Sequence, residues 1–240
     1  MAHEFVRWLE VPSGANWIDV GCGTGALSEA ILDLAKPLTV RAVDPAPGFV
    51  GFARGTMRDS RASFVIADAR ALPLGSGTSD AVVGGLMLNF VPEPDIALRE
   101  WHRVLRSGGT AAVYVWDYAG EMQMMRSFWG AAVALDPEAR DLYETGRFAV
   151  WDGGYLSETL RAAGFGRVEA RAIDVPTVFA DFDGYWTPFL GGQGPAGVYI
   201  RSLDNTRRDA LRDRLRGALV RESDGTIRLS ARAWAVKGRR

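Results

Sequence analysis

The run Asp19-Val20-Gly21-Cys22-Gly23-Thr24-Gly25 restricts the fold more than any other part of the chain. It joins a short apolar stretch, residues 17–20, to an apolar helical stretch, residues 26–35. Glycines at this density let the backbone turn tightly and let a ligand approach without meeting a β-carbon. Amides at the N-terminus of the following helix then face whatever is held there. A merely tight strand-to-helix turn does not need them, so the segment reads as a binding loop.

The same alternation continues along the chain. The pattern predicts further strands at residues 39–43, 63–67, 81–86, 110–116, 168–175 and 227–236. It predicts helices over 3–10, 47–58, 95–105, 152–163 and 204–220. Asp95 is read as the cap of its helix, whose Leu98, Trp101 and Leu105 share one face. Gly108-Gly109 is read as a turn into the fifth strand. Strands alternating with helices give an α/β fold, a mostly parallel sheet with helices on both faces. Seven strands are counted; periodicity leaves the direction of the last one open.

Composition narrows the function classes. The chain has 240 residues, 48% of them hydrophobic, which fits one elaborated domain over 1–240. The 28 basic and 29 acidic residues leave a net charge of −1, with no basic field to collect phosphates, so nucleic acid is not an expected partner. A lone cysteine, Cys22, cannot form a disulfide within the chain and suits a reducing compartment. No apolar run approaches a membrane span, and residues 1–10 carry His3, Glu4 and Arg7, unlike a secretory signal. A cytoplasmic protein without membrane association is the expectation, with no metal; the oligomeric state is not legible.

The glycines leave the ligand undecided. Gly21, Gly23 and Ala26 also satisfy the dinucleotide pattern G-x-G-x-x-G/A, and Asp44, ending the second strand, suits a ribose in either case. Three features favour an adenosyl sulfonium. Asp19 stands two residues before the first glycine, where a cationic amino-acid tail needs an anionic partner. Asp68 ends the third strand, within reach of an adenine amino group, and Ala69 offers its amide beside it. Leu105-Arg106-Ser107-Gly108-Gly109 leads a helix into strand five.

These motifs, over residues 15–117, resemble the class I S-adenosylmethionine-dependent methyltransferases, especially the group containing quinone-biosynthesis enzymes. The resemblance implies a Rossmann-like seven-stranded sheet with an antiparallel last strand. It implies that Gly21, Gly23 and Gly25 line the cofactor, that Asp19 lies near its amino-acid tail, and that Asp44, followed by Pro45, binds the ribose. Asp68 and Ala69 would hold adenine, and Leu88 and Asn89 would follow strand four beside the sulfonium. Ser107 departs from the proline that relatives often carry there, which affects a turn.

The implied activity is methyl transfer to a small, largely apolar or aromatic molecule by in-line displacement. Such a reaction demands positioning first, and a base only when the nucleophile must lose a proton. His102 reads as structural; His3 and Tyr118 are the candidate catalytic groups. The loop Leu88-Asn89-Phe90-Val91 lacks the Asn/Asp-Pro-Pro-aromatic sequence associated with adenine methylation, and Cys22 is poorly placed to attack a cytosine. Residues 118–150 and 181–199 are candidate pocket and lid segments, with Trp116, Met125, Trp129, Tyr185, Trp186 and Phe189 as candidate lining and Phe148 and the run Gly191-Gly192-Gln193-Gly194 nearby. The competing reading is helices burying a core of their own. Two rival functions stay open. One is an NAD(P)-dependent oxidoreductase, disfavoured because Lys36 and Lys237 are the only lysines and no Tyr-x-x-x-Lys pair exists. The other is a protein that binds S-adenosylmethionine without transferring its methyl group.

Overall fold

The computed structural model describes residues 1–142, 150–191 and 194–240. Phe148, Gly192 and Gln193 lie outside them. Seven strands form one sheet: β1 (Asn16–Val20), β2 (Thr39–Asp44), β3 (Ala62–Ile66), β4 (Ser79–Gly85), β5 (Leu105–Trp116), β6 (Gly166–Phe179) and β7 (Ile227–Arg239), in the order β3-β2-β1-β4-β5-β7-β6. The pairs β1–β2, β2–β3, β1–β4 and β4–β5 are parallel. β7 runs against both its neighbours; Arg240 bonds back to Gly109 at 3.0 Å while Arg232 accepts from Asp117 at 2.9 Å. The expected antiparallel last strand is therefore present. Trp17 to Val20 are all buried, as a central parallel strand covered on both faces requires.

Strand register identifies the covering helices. Asp19 pairs with Ala42 and Val83, so these three share a sheet face. α1 (Ala2–Leu9), α2 (Ala26–Leu34) and α3 (Pro47–Thr56) cover that face: Ser28 bonds Asp19, and Ala42 clusters with Val50 and Ala53. α4 (Pro94–Val104) covers the other, where the Trp101 ring would lie 2.9 Å from a β-carbon on Gly84. α6 (Gly153–Ala162) follows the second unit introduced below.

Two local expectations are corrected. Asp95 does not cap α4; Glu93 occupies the cap position and Pro94 the first turn. Proline's fixed φ and missing N–H suit that position, which starts the helix one residue early. Asp95 instead pairs with Arg99 one turn on, at 2.8 Å. Strand β5 begins at Leu105, not 110. Its pairing with β4 passes from Ser79↔Leu105 to Ala81↔Thr110, so Arg106–Gly109 is absorbed as an irregularity within the strand, with Gly108 at φ +74°. At α6 the Asp152 carboxylate accepts from the Tyr155 amide at 2.8 Å. Asp152→Ala should cost about 1 kcal/mol in denaturant unfolding; no change would remove the cap from the account of this helix.

The backbone divides into two compact units. The first comprises Met1–Val115, Trp151–Ile173 and Ala233–Arg240; the second comprises Trp116–Val150 and Asp174–Arg232. The second holds α5 (Gln123–Leu135), α7 (Phe182–Leu190), α8 (Gly194–Ser202) and α9 (Asn205–Ala218). Its core is aromatic. Phe128 stacks on Phe189 at 4.5 Å and meets Trp129 edge-on at 5.1 Å. The Tyr185 hydroxyl donates to the Met124 carbonyl at 2.9 Å. Among the described residues no helix is long and apolar enough to cross a membrane.

Candidate functional site

Strand order reverses at β1, with β2 and β3 on one side and β4 and β5 on the other. At such a switch point the loops leaving adjacent strands part, and a crevice opens at the carboxyl ends. A cavity of about 470 Å³ lies there, within the first unit. Gly21, Cys22, Gly23 and Thr24 form its base, Asp44, Pro45 and Phe49 one side, and Ala67, Asp68 and Ala69 another. Gly85, Leu86, Met87, Phe90, Val91 and Pro92 close it.

The glycine loop is shaped by backbone need. Gly21, Gly23 and Gly25 all have positive φ, at +69°, +53° and +98°. A β-carbon on Gly21 would also lie 2.6 Å from Met87 Cβ. Asp44 fixes the loop from the end of β2. Its Oδ2 accepts from the Gly23 amide at 3.0 Å, and its Oδ1 accepts from the Ala46 amide at 2.9 Å. The side chain is 7% exposed and borders the cavity. The Cys22 thiol packs among Ala42, Val50 and Phe64, and burial pushes its pKa up to about 12, so it is no nucleophile at neutral pH.

Asp68 is held differently. Arg70, two residues on, grips both its oxygens, with Nε at 2.9 Å and Nη2 at 2.7 Å. These hydrogen bonds pull the carboxyl down to about 2. Arg70 also reaches Glu93 at 2.6 Å, which ties the loop after β3 to the start of α4. Ala69 borders the cavity beside Asp68.

Asp19 lies behind the loop, completely buried, and is not on the cavity wall. Its Oδ2 accepts from the Ser28 hydroxyl at 2.6 Å; its Oδ1 has no hydrogen-bond partner. Burial in this setting pushes its pKa up to about 7. Gly25, Leu88 and Asn89 also stand off the wall: Gly25 begins α2, and Leu88 is wholly buried. Leu88 and Asn89 instead build the short 3₁₀ turn Leu88–Phe90, which carries Met87 and Phe90 to the cavity.

Residue type gave no warning of Leu86 and Met87. Leu86 adopts φ +58°, rare for a leucine, with its amide bonded to the Tyr114 carbonyl at 2.8 Å. Strained backbone of this kind concentrates at functional sites. Among the catalytic candidates, His3 is exposed on α1 and Tyr118 is half-buried in the second unit; neither borders the cavity. Of the candidate pocket residues, Trp129, Tyr185, Trp186 and Phe189 pack into the second unit's core, each 5% exposed or less, while Trp116 and Met125 are half-buried. A separate cavity of about 270 Å³ in that unit is bordered by Asp136, Tyr199 and Arg207, and by none of those six.

Residues 18–113 match the family model for a methyltransferase domain. The chain is 30% identical over 213 residues to 2-methyl-6-phytyl-1,4-hydroquinone methyltransferase of Synechocystis sp., covering 86% of this chain and 65% of that protein. It is 32% identical over 172 residues to demethylmenaquinone methyltransferase of Clavibacter sepedonicus, covering 67% and 69%. The fold matches a phosphoethanolamine N-methyltransferase of Haemonchus contortus, solved with phosphomonomethylethanolamine and S-adenosylhomocysteine, with a TM-score of 0.61 at 12% identity, over 100% of this chain and 52% of that one. This chain therefore spans less than two thirds of the first relative's length. The matched stretch carries the glycine loop and the three acidic strand ends, and it decides between the two cofactors that the glycines alone allow. By sequence and by strand order, the chain belongs to the class I S-adenosylmethionine-dependent methyltransferases.

Proposed function

We propose that this chain transfers the methyl group of S-adenosylmethionine to a small acceptor with an apolar or aromatic body, the class to which a prenylated hydroquinone belongs. The observation that carries the proposal is the cavity at the β1 switch point, where the glycine loop, Asp44 and apolar side chains border one space. The residues present fit the cofactor. Gly21 and Gly23 let the loop approach it, Gly25 turns the chain into α2 behind them, and Asp44, with Pro45 beside it, accepts from ribose hydroxyls. Asp68 and Ala69 flank the adenine. Asp19, with one orphaned buried oxygen, supplies the negative charge behind the loop that a cationic tail needs.

When bound, the sulfonium supplies a methyl group already activated for displacement, the sulfur keeping the bonding electrons. The chain's own contribution is then to position and to keep water out. Phe49, Met87, Phe90, Val91 and Pro92 give the cavity an apolar lining. Leu88 and Asn89 act through the turn they build. In-line alignment of two bound reactants can supply roughly 7–11 kcal/mol of a barrier. No side chain is assigned as a base in this reading, so His3 and Tyr118 have no part in it. The segments 118–150 and 181–199 lie beyond the residues matched by the family model, and we assign acceptor choice to them. The two quinone-type relatives support an acceptor of that kind.

The test is direct. The purified chain, S-adenosylmethionine and a hydroquinone bearing an isoprenoid chain should yield S-adenosylhomocysteine and a methylated product detected by mass. A hydroquinone lacking the chain should react more slowly. Cofactor binding without turnover on any hydroquinone would reject the acceptor class and leave the cofactor reading standing.

A further inference from the structure

Tyr114 is a largely buried tyrosine that the reading above leaves without a task. It sits on β5 opposite Gly85, and the register places it on the Asp19 face of the sheet: Asp19 pairs with Val83, Val83 with Ala112, and Tyr114 is two residues on. Its ring meets Phe5 of α1 edge-on at 4.7 Å. The side chain leans across the neighbouring strand, so that a β-carbon on Gly85 would lie 2.6 Å from the hydroxyl. Gly85 itself borders the cavity. The glycine at that position therefore makes room for the tyrosine beside the site.

Tyr114 is only 5% exposed, but its hydroxyl oxygen is not among the fully buried, unpartnered atoms of the described residues. Asp19, on the same face, leaves its Oδ1 unpartnered and wholly buried. A buried polar oxygen without a partner costs free energy, so the Asp19 Oδ1 points to a donor supplied by something bound, and Tyr114, on the same face two strands away, is placed to share that donor. The two are electrostatically linked: burial first, and then the charge of Asp19, both hold the Tyr114 hydroxyl well above its ordinary pKa. The phenol thus stays protonated, and Asp19, once ionised, gives it a negative field that attracts a cation.

We infer that Tyr114 is a positioning residue for the amino-acid end of the cofactor, its oxygen accepting a hydrogen bond from the ammonium whose charge Asp19 balances. The inference rests on the cofactor reading of the cavity. It adds a contact from β5, a strand to which no cofactor role is assigned above. The geometry also gives Gly85 a reason, because any larger residue there would displace the phenol.

Two ligands separate this role from a packing role. S-adenosylhomocysteine carries the amino-acid end; 5′-methylthioadenosine has the same nucleoside and sulfur without it. Tyr114→Phe keeps the ring against Phe5 and removes only the oxygen. By calorimetry, the variant should bind S-adenosylhomocysteine about tenfold more weakly than the parent, the loss of one hydrogen bond to a charged group. Its affinity for 5′-methylthioadenosine should be unchanged. An equal loss for both ligands, or no loss for either, overturns the role of Tyr114 while leaving the cofactor site intact. If the parent chain binds neither ligand, the cofactor reading fails and this inference falls with it.

Discussion

Asp44→Ala is expected to weaken binding of S-adenosylhomocysteine about a hundredfold, as measured by calorimetry, with the folded structure retained. Two losses combine. The carboxylate organises the glycine loop through the Gly23 amide at 3.0 Å and the start of α3 through the Ala46 amide at 2.9 Å. Its cavity side is also where ribose hydroxyls would donate. Each hydrogen bond to a charged group contributes roughly 1.5–3 kcal/mol when its partner is buried. The fold should survive because β2 is held by β1 and β3 on either side, and the freed Gly23 amide borders a cavity that water can enter. Asp68→Ala should cost less affinity, since its charge is already balanced by the Arg70 guanidinium and it holds no glycine amide of the loop. Unchanged affinity in Asp44→Ala, with a native unfolding midpoint, would show that the ligand lies elsewhere.

The order of those two effects reflects how much of the site was legible in the sequence. A glycine-rich strand-to-helix junction and a carboxylate at a strand end are local signals, set by φ angles and by strand length. Gly21, Gly23, Asp44, Pro45, Asp68 and Ala69 accordingly come together at one cavity. What surrounds a carboxylate is not local. Nothing about Arg70 announces that its guanidinium folds back on Asp68 and reaches Glu93, more than twenty residues on. Leu86 and Met87 are invisible for another reason: a leucine at φ +58° is imposed by the strand end and its bond to Tyr114, against its own preference.

The fold was more legible than the second unit. Alternating strands and helices determine a parallel sheet, and the glycine run marks its switch point. The aromatic segments offered two readings with the same composition. Phe128, Trp129, Tyr185 and Phe189 would suit the wall of a pocket or the centre of a helical core, and only packing separates the two. In the structure they face each other, with ring centroids 4.5 to 5.4 Å apart between Phe128, Phe189 and Tyr185. Acceptor selection, which depends on how those segments are used, is the property that composition reveals least.

Asp19→Asn is expected to remove a pH dependence of stability that the parent chain carries without ligand. The carboxyl is wholly buried, one oxygen is unpartnered, and desolvation raises its pKa from 3.8 to about 7, against the partial offset of the Ser28 hydrogen bond. Between these two values the folded chain holds a proton that the unfolded chain releases. The unfolded state then binds fewer protons, so stability falls as pH rises through this window, and the loss is complete only above about pH 7. The full penalty is on the order of 4 kcal/mol, from about three pKa units at 1.36 kcal/mol each. Asparagine cannot ionise, and its amide oxygen can still accept from Ser28. The variant should therefore gain on the parent by about 3 kcal/mol between about pH 5 and about pH 8, read from denaturant midpoints and slopes at both. Binding of a cationic amino-acid end should narrow that gap, because the ionised carboxylate then has a partner that asparagine cannot use as well. Parallel stability profiles for the two proteins would mean that Asp19 is charged and solvated in the folded chain. The negative charge behind the glycine loop would then not be waiting for a ligand.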